Sequence, residues 1–99
     1  MKLTDALQFR WGIIRRLPGL SARKRFGRTL LYYLVWRAEC ELERDLTLDQ
    51  AVHLAYRFMT WQAANVPNET LIDEPSRQVS LYLTTEPWQY QLATMEPEQ

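Results

Sequence analysis

Few side chains in this sequence have the type and spacing that chemistry requires. The single histidine, His53, lies one helical turn from Asp49 and one turn from Arg57. An Asp–His pair at that spacing can orient a general base. The same spacing is that of ordinary ion pairs on a helix surface, and no serine or cysteine stands at helical distance from His53 to act as nucleophile. His53 is therefore read as a solvated surface histidine. The single cysteine, Cys40, excludes an internal disulfide and any metal site built from several thiolates. It is expected to be a small buried apolar side chain in a reducing compartment. Glu39, Glu41, Glu43 and Asp45 are candidate ligands for a divalent cation. Helical spacing splits them, however, putting Glu39 with Glu43 on one face and Glu41 with Asp45 on another, whereas a hard cation needs converging oxygens. A solvated acidic helix end is the expectation. Gly12, Gly19 and Gly27 match no phosphate-cradling pattern. No catalytic, cofactor or metal residues are assigned, and the chain is expected not to be an enzyme.

Charge is the stronger signal. Residues 1–37 hold nine Lys and Arg against Asp5 alone, a balance of +8, and residues 38–99 hold three against eleven, a balance of −8. The formal net charge is zero. Two readings stay open. Basic and acidic parts can neutralise each other within the fold or across a dimer, where an exposed pair contributes ~0–1 kcal/mol. Alternatively, the basic third faces phosphate or an acidic protein surface. On the second reading Arg10, Arg15, Arg16, Arg23, Lys24, Arg25 and Arg28 are the candidate partner-binding cations. Tyr32 and Trp36 are the candidate stacking or docking groups.

These residues need elements to position them. The spacing of Leu3, Leu7, Ile14 and Leu17 predicts a helix over 4–17, with Thr4 as cap, Asp5 in its first turn and Trp11 at the edge of the apolar stripe. Arg10 projects into that stripe, and Pro18-Gly19 breaks the helix. A longer helix is expected over 22–44, capped by Ser21. Its cations sit at the positive end of the helix dipole and its acids at the negative end, each placement unfavourable by ~0.3–1 kcal/mol. Cations, free amides and dipole together make an anion site. The middle of this helix is apolar almost all round. Phe26, Leu30, Tyr33, Leu34 and Ala38 form one side, widened by Leu31, Val35 and Leu42. Tyr32 and Trp36 lie opposite, in line with Arg25, Arg28, Glu39 and Glu43. Such a helix is central in its fold or covered by a partner, and both fates are open for Tyr32 and Trp36. Gly27 on the apolar side points to close helix packing.

A third helix over 48–64 carries the strongest signals. Thr47 and Gln50 have capping-box spacing, and Leu46 can staple onto Ala51. Leu48, Ala51, Val52, Ala55, Phe58, Met59 and Gln62 share one face, while Asp49, Gln50, His53, Arg57 and Thr60 make a polar one. The run 46–55 superficially resembles the first helix of helix-turn-helix domains. Tyr56 to Trp61 continue the apolar periodicity where a turn should come, so that reading is rejected. Asn65, Val66 and Pro67 end the helix, and a loop with one short turn is expected over 65–76. Val79, Leu81 and Leu83 alternate as a short strand over 78–84 would, yet Pro75 can also start a helix there. With no second strand to pair with, helix is preferred. Thr85-Glu86-Pro87 reads as the start of a last helix carrying Trp88, Leu92 and Met95, and 96–99 as a frayed tail.

The 99 residues fit one domain. A mainly all-α bundle of three to five helices is expected. The longest apolar run, Leu30 to Trp36, is too short for a membrane span of ~20 residues, and no secretory pattern is read at the N-terminus. A cytoplasmic location is the expectation. The sequence is read as a non-enzymatic binding subunit that engages an anionic partner, most plausibly nucleic-acid backbone without strong sequence preference. The alternative is a protein–protein adaptor, inhibitor or assembly factor, homodimeric or part of a larger complex, using the same basic and aromatic surface.

Overall fold

The computed structural model describes residues 8, 9, 11, 20–65 and 75–94, with the backbone alone for 20–29 and 75. Among the described residues the architecture is entirely helical, with no strand. Helix α1 spans Leu20–Leu42, α2 spans Leu48–Asn65, α3 spans Pro75–Thr85 and α4 spans Trp88–Ala93. Helix α1 packs on α2 and α3, and α2 also packs on α3 and α4.

The start of α2 follows its sequence signals closely. The Thr47 hydroxyl accepts the Gln50 N–H at 3.1 Å, and the Gln50 side-chain oxygen accepts the Thr47 N–H at 3.1 Å. This reciprocal capping box satisfies two amides that the first turn leaves without carbonyl partners. Leu46, just before it, is buried with Ala51 in the core. Of the face predicted for α2, Ala51, Val52, Ala55, Phe58, Met59 and Gln62 are buried and Leu48 is half-buried; Leu54, beside that face, is buried too. The helix runs unbroken through Tyr56–Trp61.

Helix α1 buries Leu31, Leu34, Val35 and Ala38 against that face. It begins at Leu20, so Ser21 lies inside the first turn and is not its cap; helix ends shift by a residue or two in this way. It ends through Glu43, whose φ of 56° is left-handed. The Arg44 N–H then bonds the Glu39 carbonyl at 3.3 Å, the long-range closure that a left-handed residue after a helix permits. The Glu39 carboxylate accepts the Leu46 N–H at 2.9 Å and fastens the corner.

Residues 78–84 form no strand. They lie within α3, which buries Gln78, Val79 and Tyr82 at spacings of one, three and four residues and leaves Leu81 51% exposed. The alternation of Val79, Leu81 and Leu83 is therefore not the pattern that is buried. No strand is available among the described residues to take up ladder hydrogen bonds, whereas a helix satisfies its own. Thr85 closes α3, its hydroxyl bonded back to the Leu81 carbonyl at 2.8 Å, and so does not start the last helix. That role falls to Pro87, which makes no side-chain capping bond. Trp88 is buried, and its indole N–H donates to the Leu83 carbonyl at 2.8 Å, joining α4 to the end of α3.

A ring cluster fills the seam between α2 and α3. Phe58 meets Tyr82 edge-on at 5.3 Å, Trp61 meets Tyr82 edge-on at 5.4 Å, and Phe58 stacks with Trp61 at 6.1 Å. Contacts of this kind add ~0.5–1.5 kcal/mol each beyond burial. Beside them the Gln62 amide N–H donates to the Gln78 side-chain oxygen inside the core.

Of the helix expected over 4–17, Gln8, Phe9 and Trp11 are described, and all three are helical. Phe9 is buried and lies 5.6 Å from the Tyr32 ring, while Trp11 is 55% exposed. The rest of that helix, the loop over 66–74, Met95 and the tail 96–99 lie outside the described residues.

Candidate functional site

Of the candidate cations, Arg10, Arg15 and Arg16 lie outside the described residues. Positions 23, 24, 25 and 28 lie on the N-terminal half of α1. The first turn of α1 contains no acid and its last turn no base. The charge order expected to oppose the helix dipole thus belongs to one continuous helix. With ~100° per residue, positions 25, 28, 32 and 36 fall within an arc of about 80° on that helix.

The two candidate aromatics differ. Tyr32 is half-buried against Phe9, a contact the sequence reading missed because it followed Leu3, Leu7, Ile14 and Leu17 as the stripe. Trp36 is 57% exposed. Its ring lies 6.1 Å from Tyr33, and the Arg37 guanidinium sits 5.8 Å above the Tyr33 ring. Arg37 also donates to the Tyr33 hydroxyl at 2.9 Å and to Ser80 at 3.2 Å. One charge of the basic third is therefore held within the fold, and Trp36 rests on a braced platform at the solvent side.

The groups first weighed for chemistry have other settings. Cys40 is exposed, contrary to the buried apolar side chain expected of it. The reason is geometric: α1 buries Ala38, and position 40 lies on the far side of the helix, about 200° away. His53 is half-buried on the polar side of α2. Glu39, expected to be solvated, is half-buried and binds the Leu46 N–H, while Glu41, Glu43 and Asp45 are exposed. Among the described residues no three His, Cys, Asp or Glu side chains converge as a cation site. Burial pushes the Tyr82 phenol up to about 12, countered in part by Arg57 and aided by Glu86. None of the described helices is long and apolar enough to cross a membrane.

The chain matches no protein-family model, no curated protein and no solved structure.

Leu81 and Tyr90, 51% and 71% exposed, also escaped the sequence reading, because period alone does not say which side of a short helix faces water.

Proposed function

We propose that this chain is a non-enzymatic binding subunit whose basic N-terminal third engages an anionic partner, nucleic-acid backbone above all, without strong base preference. One observation carries the reading: α1 has cations at positions 23, 24, 25 and 28 and no acid in its first turn. With α1 beginning at Leu20, positions 23 and 24 fall at the end of its first turn, where cations oppose the dipole and lower stability slightly, while positions 25 and 28 lie one to two turns further on. Amides without helical partners, the dipole and the cations together attract phosphate. Arg10, Arg15 and Arg16 continue the same charge along the sequence. Phosphate contacts of this kind fix position and carry no base information. The lone Cys40 thiol suits a reducing cytoplasm.

Titration of a labelled random-sequence oligonucleotide across a salt series tests the reading. The logarithm of affinity should fall linearly with the logarithm of salt. Absence of binding, or binding indifferent to salt, would refute it.

A second reading, a protein–protein adaptor or assembly factor, is favoured by the exposure of Trp36 on the helix that carries the cations. Tryptophan is among the residues enriched at the centres of protein interfaces.

A further inference from the structure

At the level of Trp36, helix α1 is engaged on three sides. Leu31, Leu34, Val35 and Ala38 are buried in the core, Tyr32 lies against Phe9 at 5.6 Å, and Arg37 is tied to Ser80 of α3 at 3.2 Å. Tyr32 and Arg37 stand five residues apart, so the strip left between them spans about 140° of the helix surface. Trp36 and Cys40 lie in that strip, both exposed, with half-buried Tyr33 beside them. The indole is 57% exposed and braced: its ring lies 6.1 Å from Tyr33, whose own ring and hydroxyl are held by Arg37. A large ring fixed in this way offers a flat surface to a ligand at small entropic cost. Carried back along the helix, the strip passes through position 25, eleven residues and so about 16 Å before Trp36, and about 20° from it around the axis. Positions 23, 24 and 28 bring three more cations to the same half of α1. Past Trp36 the charge reverses, and the exposed carboxylates of Glu41 and Glu43 repel phosphate.

We infer, resting on the phosphate-binding reading of α1, that the anionic partner is single-stranded nucleic acid and that Trp36 stacks on one of its bases. A duplex keeps its bases stacked on one another and shows a protein only phosphates, sugars and groove edges. Reading those edges takes an element that enters a groove about 8.5 Å deep, and α1, flanked by Phe9 and α3, gives only a shallow strip. A single strand has base faces to offer, and an aromatic side chain on a basic track receives them. Such stacking accepts any base, because every base has a π face, and so needs no base-reading element. The strand lies along the basic half of α1 with its backbone near the cations, and it ends at Trp36, before the carboxylates. Tyr32 takes no part, because Phe9 already lies against its ring.

The test titrates the wild type and Trp36→Ala with three labelled probes of equal length: an oligothymidine, the same strand paired with its complement, and a strand of abasic sugars and phosphates. Charge alone favours the duplex, which carries about twice the phosphates per unit length. The wild type should nonetheless bind the oligothymidine more tightly than the duplex, and roughly tenfold more tightly than the abasic strand. Trp36→Ala should lose that tenfold and bind the two single strands alike. Its salt slope should match the wild type, because no phosphate contact is removed. Trp36→Phe, a smaller ring on the same platform, should recover part of the loss. Circular dichroism verifies that both variants fold, and the comparison of strand with abasic strand on the wild type needs neither of them. Salt-dependent binding that does not distinguish the two single strands, that favours the duplex, or that Trp36→Ala leaves unchanged overturns the inference. The phosphate-binding reading then stands and the indole is left to a protein partner. Absence of binding to all three probes overturns both.

Discussion

Arg37 on α1 donates to the hydroxyl of Ser80 on α3 at 3.2 Å, forty-three residues away in sequence. The same guanidinium donates to Tyr33 and lies over its ring, so one side chain clamps two helices and steadies the platform under Trp36. Arg37→Ala should destabilise the fold by about 1–2 kcal/mol, since a partly buried charged donor is lost together with its stem packing. Arg37→Lys should recover only part of this, because an ammonium does not reproduce a planar fork that both bonds and stacks. Urea melts of the two variants decide the matter. Equal stability of all three proteins would show that the clamp contributes nothing.

Gln62 and Gln78 are a buried polar pair in an otherwise apolar seam, and the Gln62 side-chain oxygen has no hydrogen-bond partner among the described residues. Removing Gln78 leaves the buried Gln62 amide N–H without its bond, at a cost of about 1–3 kcal/mol. Replacing both by methionine, similar in volume and without an amide, removes the penalty of the broken Gln62–Gln78 bond. The variant Gln62→Met/Gln78→Met should therefore be more stable than either single variant in a double-mutant cycle. Simple additivity would contradict the pairing.

Glu43 holds a left-handed φ of 56° without being glycine, a conformation that costs a side chain with a Cβ roughly 1 kcal/mol. Glu43→Gly should raise stability by up to about 1 kcal/mol in thermal melts while removing a carboxylate just past the end of α1. A lower melting temperature would mean that the carboxylate stabilises the monomer by more than its backbone costs.

Much of the fold could be read from the sequence where local chemistry was decisive. Thr47, Gln50 and the apolar face of α2 carry cap and periodicity together, and all of them are realised. Local pattern was weaker where tertiary contacts choose. Val79, Leu81 and Leu83 fit a strand as well as a helix, and only the ring cluster around Tyr82 and the buried Gln78 select the helix. Cys40 was misjudged because cysteine as a type is usually buried, whereas its angle from Ala38 on α1 puts it outside. Of the candidate binding residues, the order of charges along α1 could be read directly. The different fates of Tyr32 and Trp36 could not, because they depend on Phe9 reaching one ring and not the other.

Burial raises the Tyr82 phenol to about 12, above its ordinary value of 10.0, so the folded state holds this proton after the unfolded chain has lost it. Between pH 10 and 12 the unfolded state binds fewer protons, and stability falls as pH rises. The contribution is fully present below pH 10 and lost above about 12, a change on the order of 2–3 kcal/mol. Tyr82→Phe should remove this alkaline dependence while keeping the ring that packs on Phe58 and Trp61. Chemical melts of both proteins from pH 9 to 12 test it, and parallel pH profiles would contradict the assignment.

The central claim is that the cations at the start of α1 serve an anionic partner and not the fold. Arg23→Glu/Lys24→Glu tests it most directly, in one protein and with two readings: a thermal melt, and oligonucleotide affinity across a salt series. Acids at the N-terminal end of a helix favour its dipole, so the melting temperature should hold or rise, by no more than ~1 kcal/mol per site in stability. Affinity should fall sharply, and the salt slope should become shallower by roughly one to two as two phosphate contacts disappear. A variant that melts earlier while its affinity and salt slope match the wild type would contradict the account and make these cations part of a structural ion-pair network.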